Sequence, residues 1–272
     1  RRGWADHVRA AADLCARHRP APSSSVIRLH AGLAALERHE PAMALAHLVR
    51  AADEAREDAA LGAVCVFQLH RAHQMRGDLD AAIDALHRAK AHAVEAARQP
   101  EKSASATRLA ARCDLKLAAA YSRRGERSRA VEHGVSSVAG YEAAGLDPIA
   151  DRVAQGVGMW AREAHDFDVA ERMLWRARIA AVRRSADIAP IDLSLASVYR
   201  ALDRPLDAIP FLQNVRALLA ARDGAYAGAE VALDIHTCLV EGGQVADAAR
   251  LRPALAEWFS DADIENGSVW GR

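Results

Sequence analysis

Arg76-Gly77-Asp78-Leu79-Asp80-Ala81-Ala82-Ile83 is the stretch that decides the fold. A glycine ends one helix, an aspartate opens the next, and an alanine follows one turn in. The pattern returns as Arg124-Gly125-Glu126-Arg127-Ser128-Arg129-Ala130-Val131, as Ala164-His165-Asp166-Phe167-Asp168-Val169-Ala170-Glu171, and as Leu202-Asp203-Arg204-Pro205-Leu206-Asp207-Ala208-Ile209. Weaker copies occupy 38–45 and 242–249. Aligning all six brings Ala44, Ala82, Ala130, Ala170, Ala208 and Ala248 into one column, at successive spacings of 38, 48, 40, 38 and 40. A near-constant period of this size marks stacked supersecondary units, each burying its apolar face on its neighbours.

Working outward from these turns, the chain predicts helix pairs throughout. First helices are expected at 25–38, 60–76, 104–124, 148–164, 189–202 and 225–241, and second helices at 41–57, 79–98, 127–144, 167–184, 205–222 and 244–259. Pro41 and Pro205 sit where a first-turn proline is tolerated, and Asp78, Glu126 and Asp166 suit a helix N-terminus. The one long interval has a visible cause, because Arg98-Gln99-Pro100-Glu101-Lys102-Ser103 is polar and proline-broken. Residues 3–19 read as the second helix of a partial repeat, with Trp4, Val8, Ala11, Ala12 and Cys15 on its apolar face, and 260–272 read as a loose tail. The chain lacks an initiator methionine and opens within helical pattern, so it is expected to be a fragment of a longer protein. No alternation of strand length competes with the helical periods.

Composition agrees. Apolar residues make up 51% and aromatics only 5%, so alanine, the best helix former, dominates the contacts. The 36 basic and 36 acidic residues balance, which argues against direct nucleic-acid binding and against an anionic membrane as partner. Three lysines leave 33 arginines among the 36 basic residues. That excess fits codon bias in a GC-rich genome, and it also fits arginines gripping carboxylates. Cys15, Cys65, Cys113 and Cys238 show no CxxC spacing and read as buried thiols of a cytoplasmic protein. No run of 18 apolar residues predicts a membrane span.

The Gly-Asp-Leu-Asp-Ala-Ala-Ile run, followed by Leu86 and Ala89, resembles the tetratricopeptide repeat (TPR) family. So do the small residues seven positions before the turns, Gly32, Ala118, Gly158 and Ala196, and so do Tyr121 and Tyr199. His70 and His236 depart from the small-residue position, and Gly134 and Arg252 from a large apolar one. The period resembles the longer-helix variety of bacterial signal-responsive regulators and kinesin-light-chain-like scaffolds. The resemblance implies an all-α fold, a right-handed superhelical α-solenoid of about six helix-turn-helix repeats (25–57, 60–98, 104–144, 148–184, 189–222 and 225–259) after the partial repeat. It also implies a concave groove lined by the first helices.

Reading those helices by their spacing places Phe67, Arg71, Gln74, Arg112, Leu115, Arg123, Arg152, Gln155, Met159, Arg162, Leu193 and Arg200 along that groove. Arginines there would bind the carboxylates of an extended acidic peptide or a C-terminus. Alternatively they pair with Asp114, Asp151 and Glu163. The expected function is a non-catalytic protein- or peptide-binding domain, the sensory or assembly part of a larger bacterial regulator. Rival readings are a small-molecule sensor around Arg71, Arg112 and Arg152, and a self-association module forming a homodimer through Leu29, Leu33 and Leu36 or the Trp4 helix. No cofactor or metal is expected: His70, His73, His87 and His92 read as packing residues, and Gly156-Val157-Gly158 lacks the strand a dinucleotide site needs. Trp4, Trp160, Trp175 and Trp258 read as inter-helix fillers.

Overall fold

The computed structural model describes residues 23–266. The partial repeat at 3–19, with Cys15 and the Trp4 helix, lies outside them, as do Gly267 and the residues after it. Among the described residues every regular element is helical. α1 (Ser24–Glu37) pairs with α2 (Pro41–Glu54), α3 (Ala59–Met75) with α4 (Leu79–Ala96), and α5 (Ser103–Arg123) with α6 (Arg127–Ala143). Then come α7 (Asp147–Glu163) and α8 (Phe167–Arg183), α9 (Ala189–Ala201) and α10 (Pro205–Asp223), and α11 (Ala225–Glu241) and α12 (Val245–Leu255). A short α13 (Asp261–Asn266) follows. The expected helix ends are met within four residues everywhere. The exception in kind is the expected loose tail. Residues 261–266 are helical because Ile264 has an apolar site to fill beside Ala232, Leu233 and Leu255.

One turn geometry builds all six hairpins. A residue five positions before each aligned alanine adopts left-handed backbone: His39, Gly77, Gly125, His165, Asp203 and Gly243. The next N–H then donates back to the carbonyl five residues earlier, as Asp78 to His73, Glu126 to Tyr121 and Asp166 to Ala161. This closes the helix C-terminus and releases the chain into the second helix. Asp78 accepts from Ala81 N–H at 3.0 Å and Asp166 from Val169 N–H at 3.3 Å. Glu126 makes no such cap and pairs with Arg124 and Arg129 instead.

The aligned alanines are the contact points. All six are buried, none more than 1% exposed. In two hairpins the residue four positions after the aligned alanine faces a glycine of the first helix. A Cβ on Gly32 would come within 2.6 Å of Leu48 Cγ, and one on Gly158 within 2.6 Å of Leu174 Cγ. The interval from Gly32 to Leu48 is the interval from Gly158 to Leu174. The same offset links His70 to Leu86, Ala118 to Gly134, Ala196 to Leu212 and His236 to Arg252. At Gly32–Leu48 and Gly158–Leu174 a leucine fills the space that a missing Cβ leaves, which keeps the core dense.

The chain divides into two compact units, with the boundary between Ala150 and Asp151. In the first, successive helices from α1 to α6 pack in chain order, and α3 also touches α1 and α5. In the second, α8 to α12 pack in the same consecutive manner.

A polar interlock ties neighbouring hairpins within each unit. In the first, buried Asp114 on α5 accepts from Lys90 at 2.8 Å and contacts His133 Nδ1 at 2.7 Å. The His133 ring stacks on Tyr121, whose hydroxyl meets His87 Nε2 at 3.0 Å. In the second, buried Asp192 on α9 accepts from Arg178 at 2.6 Å and from Asn214 at 2.6 Å. Phe211 stacks on Tyr199, whose hydroxyl accepts from Trp175 Nε1 at 3.1 Å.

Candidate functional site

The expected groove residues fall into two sets, one in each unit. α3 and α5 hold Phe67, Arg71, Gln74, Arg112, Leu115 and Arg123. Arg152, Gln155, Met159 and Arg162 on α7, with Leu193 and Arg200 on α9, belong to the second.

In the first set, the Arg112 guanidinium lies 4.9 Å from the centroid of the Phe67 ring. That contact joins α5 to α3 on the face in question. It also corrects one expectation. Phe67 is only 1% exposed and belongs to the core, so it supports Arg112 from below and is not a wall that a ligand touches. The cause is its place one helical turn before His70, which turns its ring inward against the next first helix. Arg71 and Arg123 are exposed, and Gln74 and Leu115 are half-buried. Among the described residues the Arg71 guanidinium donates to Gln68, at 3.4 Å.

In the second set, Arg152 and Met159 are exposed and Gln155, Arg162 and Leu193 half-buried. Arg200 is committed: it donates twice to Glu241, at 2.8 and 3.2 Å.

Two of the three acids expected to neutralise these arginines are engaged elsewhere. Asp114 serves Lys90 and His133, and Asp151 serves Arg176 at 2.9 Å. Among the described residues Arg71, Arg112, Arg123, Arg152 and Arg162 form no ion pair, and Arg200 is the exception.

The apolar face expected to make a homodimer is otherwise used. Leu29 is 8% and Leu36 2% exposed, and both sit in the core of the first unit with Leu33 packed against them. Trp258, expected as a filler, is 45% exposed and meets Tyr226 edge-on at 5.8 Å. Trp160 is half-buried and Trp175 belongs to the second interlock. Gly158 is a close-packing site, whereas nothing approaches a Cβ on Gly156.

His70 is buried, with Nδ1 on the Phe67 carbonyl, and burial pushes its pKa down to about 4. Burial also lowers His87 and His236. Cys65, Cys113 and Cys238 are free and buried, and burial raises their thiols to about 11, 12 and 12, which makes them inert. Among the described residues no group of three His, Cys, Asp or Glu is placed to hold a metal, and no helix is long and apolar enough to cross a membrane.

Sequence reading missed the two interlocks and the cap that Asp58 gives α3, accepting from Ala60 and Leu61 N–H at 3.1 and 3.2 Å. Asp58 was legible as an N-cap residue ahead of an apolar run. The interlocks were legible only once the repeats were superposed.

No protein-family model matches the chain. No curated protein matches it either. Solved structures do. RapI, in its apo form, superposes with a TM-score of 0.60 at 14% identity over 85% of this chain, which spans 64% of the length of RapI. Aspartyl phosphate phosphatase F from Bacillus subtilis gives a TM-score of 0.49 at 11% identity, over 92% of this chain and 72% of that one. The TPR-like repeats of a kinesin light chain from Podosopora anserina give 0.48 at 18% identity, over 71% and 92%. With six superposable hairpin turns and their buried alanines, this protein has the fold of the TPR-like helical-repeat proteins.

Proposed function

We propose that the chain is a non-catalytic protein- or peptide-binding repeat domain, the sensory or assembly part of a larger bacterial regulatory protein. It holds an acidic or carboxylate-bearing segment against the first helices of its hairpins. The observation that carries this reading is the set of five arginines with no acidic partner among the described residues, in a chain of balanced charge. An unpaired guanidinium on a helix face is a ready donor to a carboxylate and loses little solvation in the exchange. Two of the buried carboxylates hold hairpins together: Asp114 on Lys90 and His133, Asp192 on Arg178 and Asn214. A cytoplasmic location belongs to the same reading, since the three described cysteines are unpaired thiols.

The test is calorimetry of the 272-residue chain with glutamate-rich peptides at low and physiological salt. Binding should weaken as salt rises. It should also weaken when Arg71, Arg112 and Arg152 are changed to Ala together. Binding of equal strength in the triple variant would reject the reading.

A further inference from the structure

The charge on the first helices is not evenly shared. α3 carries no Asp or Glu at all, and α5 carries one, Asp114, which is buried and committed. Against that acid the two helices present Arg71, Arg108, Arg112, Lys116 and Arg123. None of these five forms an ion pair among the described residues. α7 differs: it offers Arg152 and Arg162 together with Asp147, Asp151 and Glu163.

On α5, Arg108, Arg112 and Lys116 recur every fourth residue, so they stand in one row, about 6 Å apart along the axis at 1.5 Å per residue. Arg112 is seated on Phe67, and Arg71 lies four residues, one helical turn, after Phe67 on α3. Buried groups nearby feel the same cluster. Arg71, Arg112 and Lys116 all disfavour protonation of His70, and Arg108 and Arg112 both act on the Tyr141 phenol.

We propose that the row Arg108, Arg112 and Lys116, flanked by Arg71, is the ligand-reading strip, and that its ligand is an extended peptide with carboxylates at every second residue. In an extended chain alternate side chains on one side recur about every 6.6–6.8 Å. That repeat matches the axial step between successive cations closely enough for three consecutive pairs. A single-stranded nucleic acid fits less well, because base binding wants exposed aromatic platforms. The rings at this strip, Phe67 and Tyr141, are 1% and 5% exposed. The proposal rests on the acidic-segment reading above and narrows it to α3 and α5.

The experiment is fluorescence anisotropy of the 272-residue chain with a labelled eight-residue peptide of alternating Glu and Ser. A block peptide of the same composition, Glu first and Ser after, serves as comparison. The alternating peptide should bind more tightly. Arg108→Ala and Lys116→Gln should each weaken it about fivefold, the size expected of one exposed charge contact. Arg88→Ala, which removes an exposed arginine of α4 paired with Asp84, should leave binding intact. Circular dichroism checks that each variant is folded. Equal binding of the two peptides overturns the proposal. So does acidic-peptide binding that falls in Arg152→Ala and Arg162→Ala but not in Arg108→Ala and Lys116→Gln, and that result keeps the broader reading. No binding of any acidic peptide removes both. Oligothymidylate binding as tightly through the same residues would assign the strip to a nucleic acid and overturn the peptide ligand.

Discussion

Asp114 and Asp192 occupy the same place in two different hairpins, each four residues before the small residue of its first helix. Each receives a cation eight residues after the aligned alanine of the preceding hairpin: Lys90 for Asp114 and Arg178 for Asp192. Tyr121 and Tyr199 match, as do His87 and Trp175, and His133 and Phe211. One interlock is therefore built twice with different side chains, one rich in histidine and the other in carbon rings. Removing the carboxylate strands a half-buried cation. Asp192→Ala should cost roughly 2–4 kcal/mol in urea unfolding, and Asp114→Ala a similar amount. Asp207→Ala, which removes an exposed partner of Arg204, should cost under about 1 kcal/mol. Equal losses at all three positions would mean that the interlocks hold nothing.

The pairing of Gly158 with Leu174 across the fourth hairpin predicts a coupling. Gly158→Ala drives a methyl group into Leu174 and should destabilise by about 1–3 kcal/mol. Leu174→Ala alone opens a cavity in a fully buried site and should cost about 2–5 kcal/mol. Together the two changes should cost less than their sum, because each relieves the other. Strict additivity in thermal melts would show that the two residues do not share a contact.

The six turns make a separate prediction. His39, His165 and Asp203 hold left-handed backbone that side chains disfavour by roughly 1–2 kcal/mol. Gly replaces that strain with entropy in the unfolded chain, so His165→Gly should raise stability by a few tenths to about 1 kcal/mol. Gly77→Ala, at the matching turn, should lower it by a comparable amount; a Cβ there meets nothing, so the effect is conformational alone.

The repeat was legible because its determinants are local. The turn residue, the cap and the alanine lie within eight positions of one another, and helical spacing carries the rest. His70 and Gly134 were visible as departures, but the residues sixteen positions from them, Leu86 and Ala118, were not read with them. The binding face was less legible. Arg71, Arg112 and Arg152 stand exposed as spacing implied, but Phe67, Leu29 and Leu36 are covered, since neighbouring first helices pack closely enough to bury what a single helical wheel leaves open. Arg200 was beyond sequence reading, because its partner Glu241 lies 41 positions away. The missing Asp and Glu on α3 were in plain view, but their meaning depended on α3 and α5 being neighbours.

Acidification supplies the last prediction. His70 titrates near 4 in the folded chain and near its ordinary 6.5 when unfolded. Between those values the unfolded chain binds more protons, so stability rises with pH and is lost as pH falls from 6.5 towards 4. The loss at this one site amounts to about 3 kcal/mol at 1.36 kcal/mol per unit. His87 and His236, also lowered by burial, add in the same direction. Carboxylates that bonding lowers act in separate windows, Asp58 with Lys102 and its two amide donors below an unfolded value of about 3.8, and Glu54 with Ser24 and Arg28 below about 4.5. Urea unfolding at pH 7 and pH 5.5 should therefore show a drop that begins above the windows of the lowered carboxylates. His70→Leu should flatten it, because Leu leaves nothing to protonate across from Leu86. A drop of the same size in His70→Leu would assign the effect to other groups.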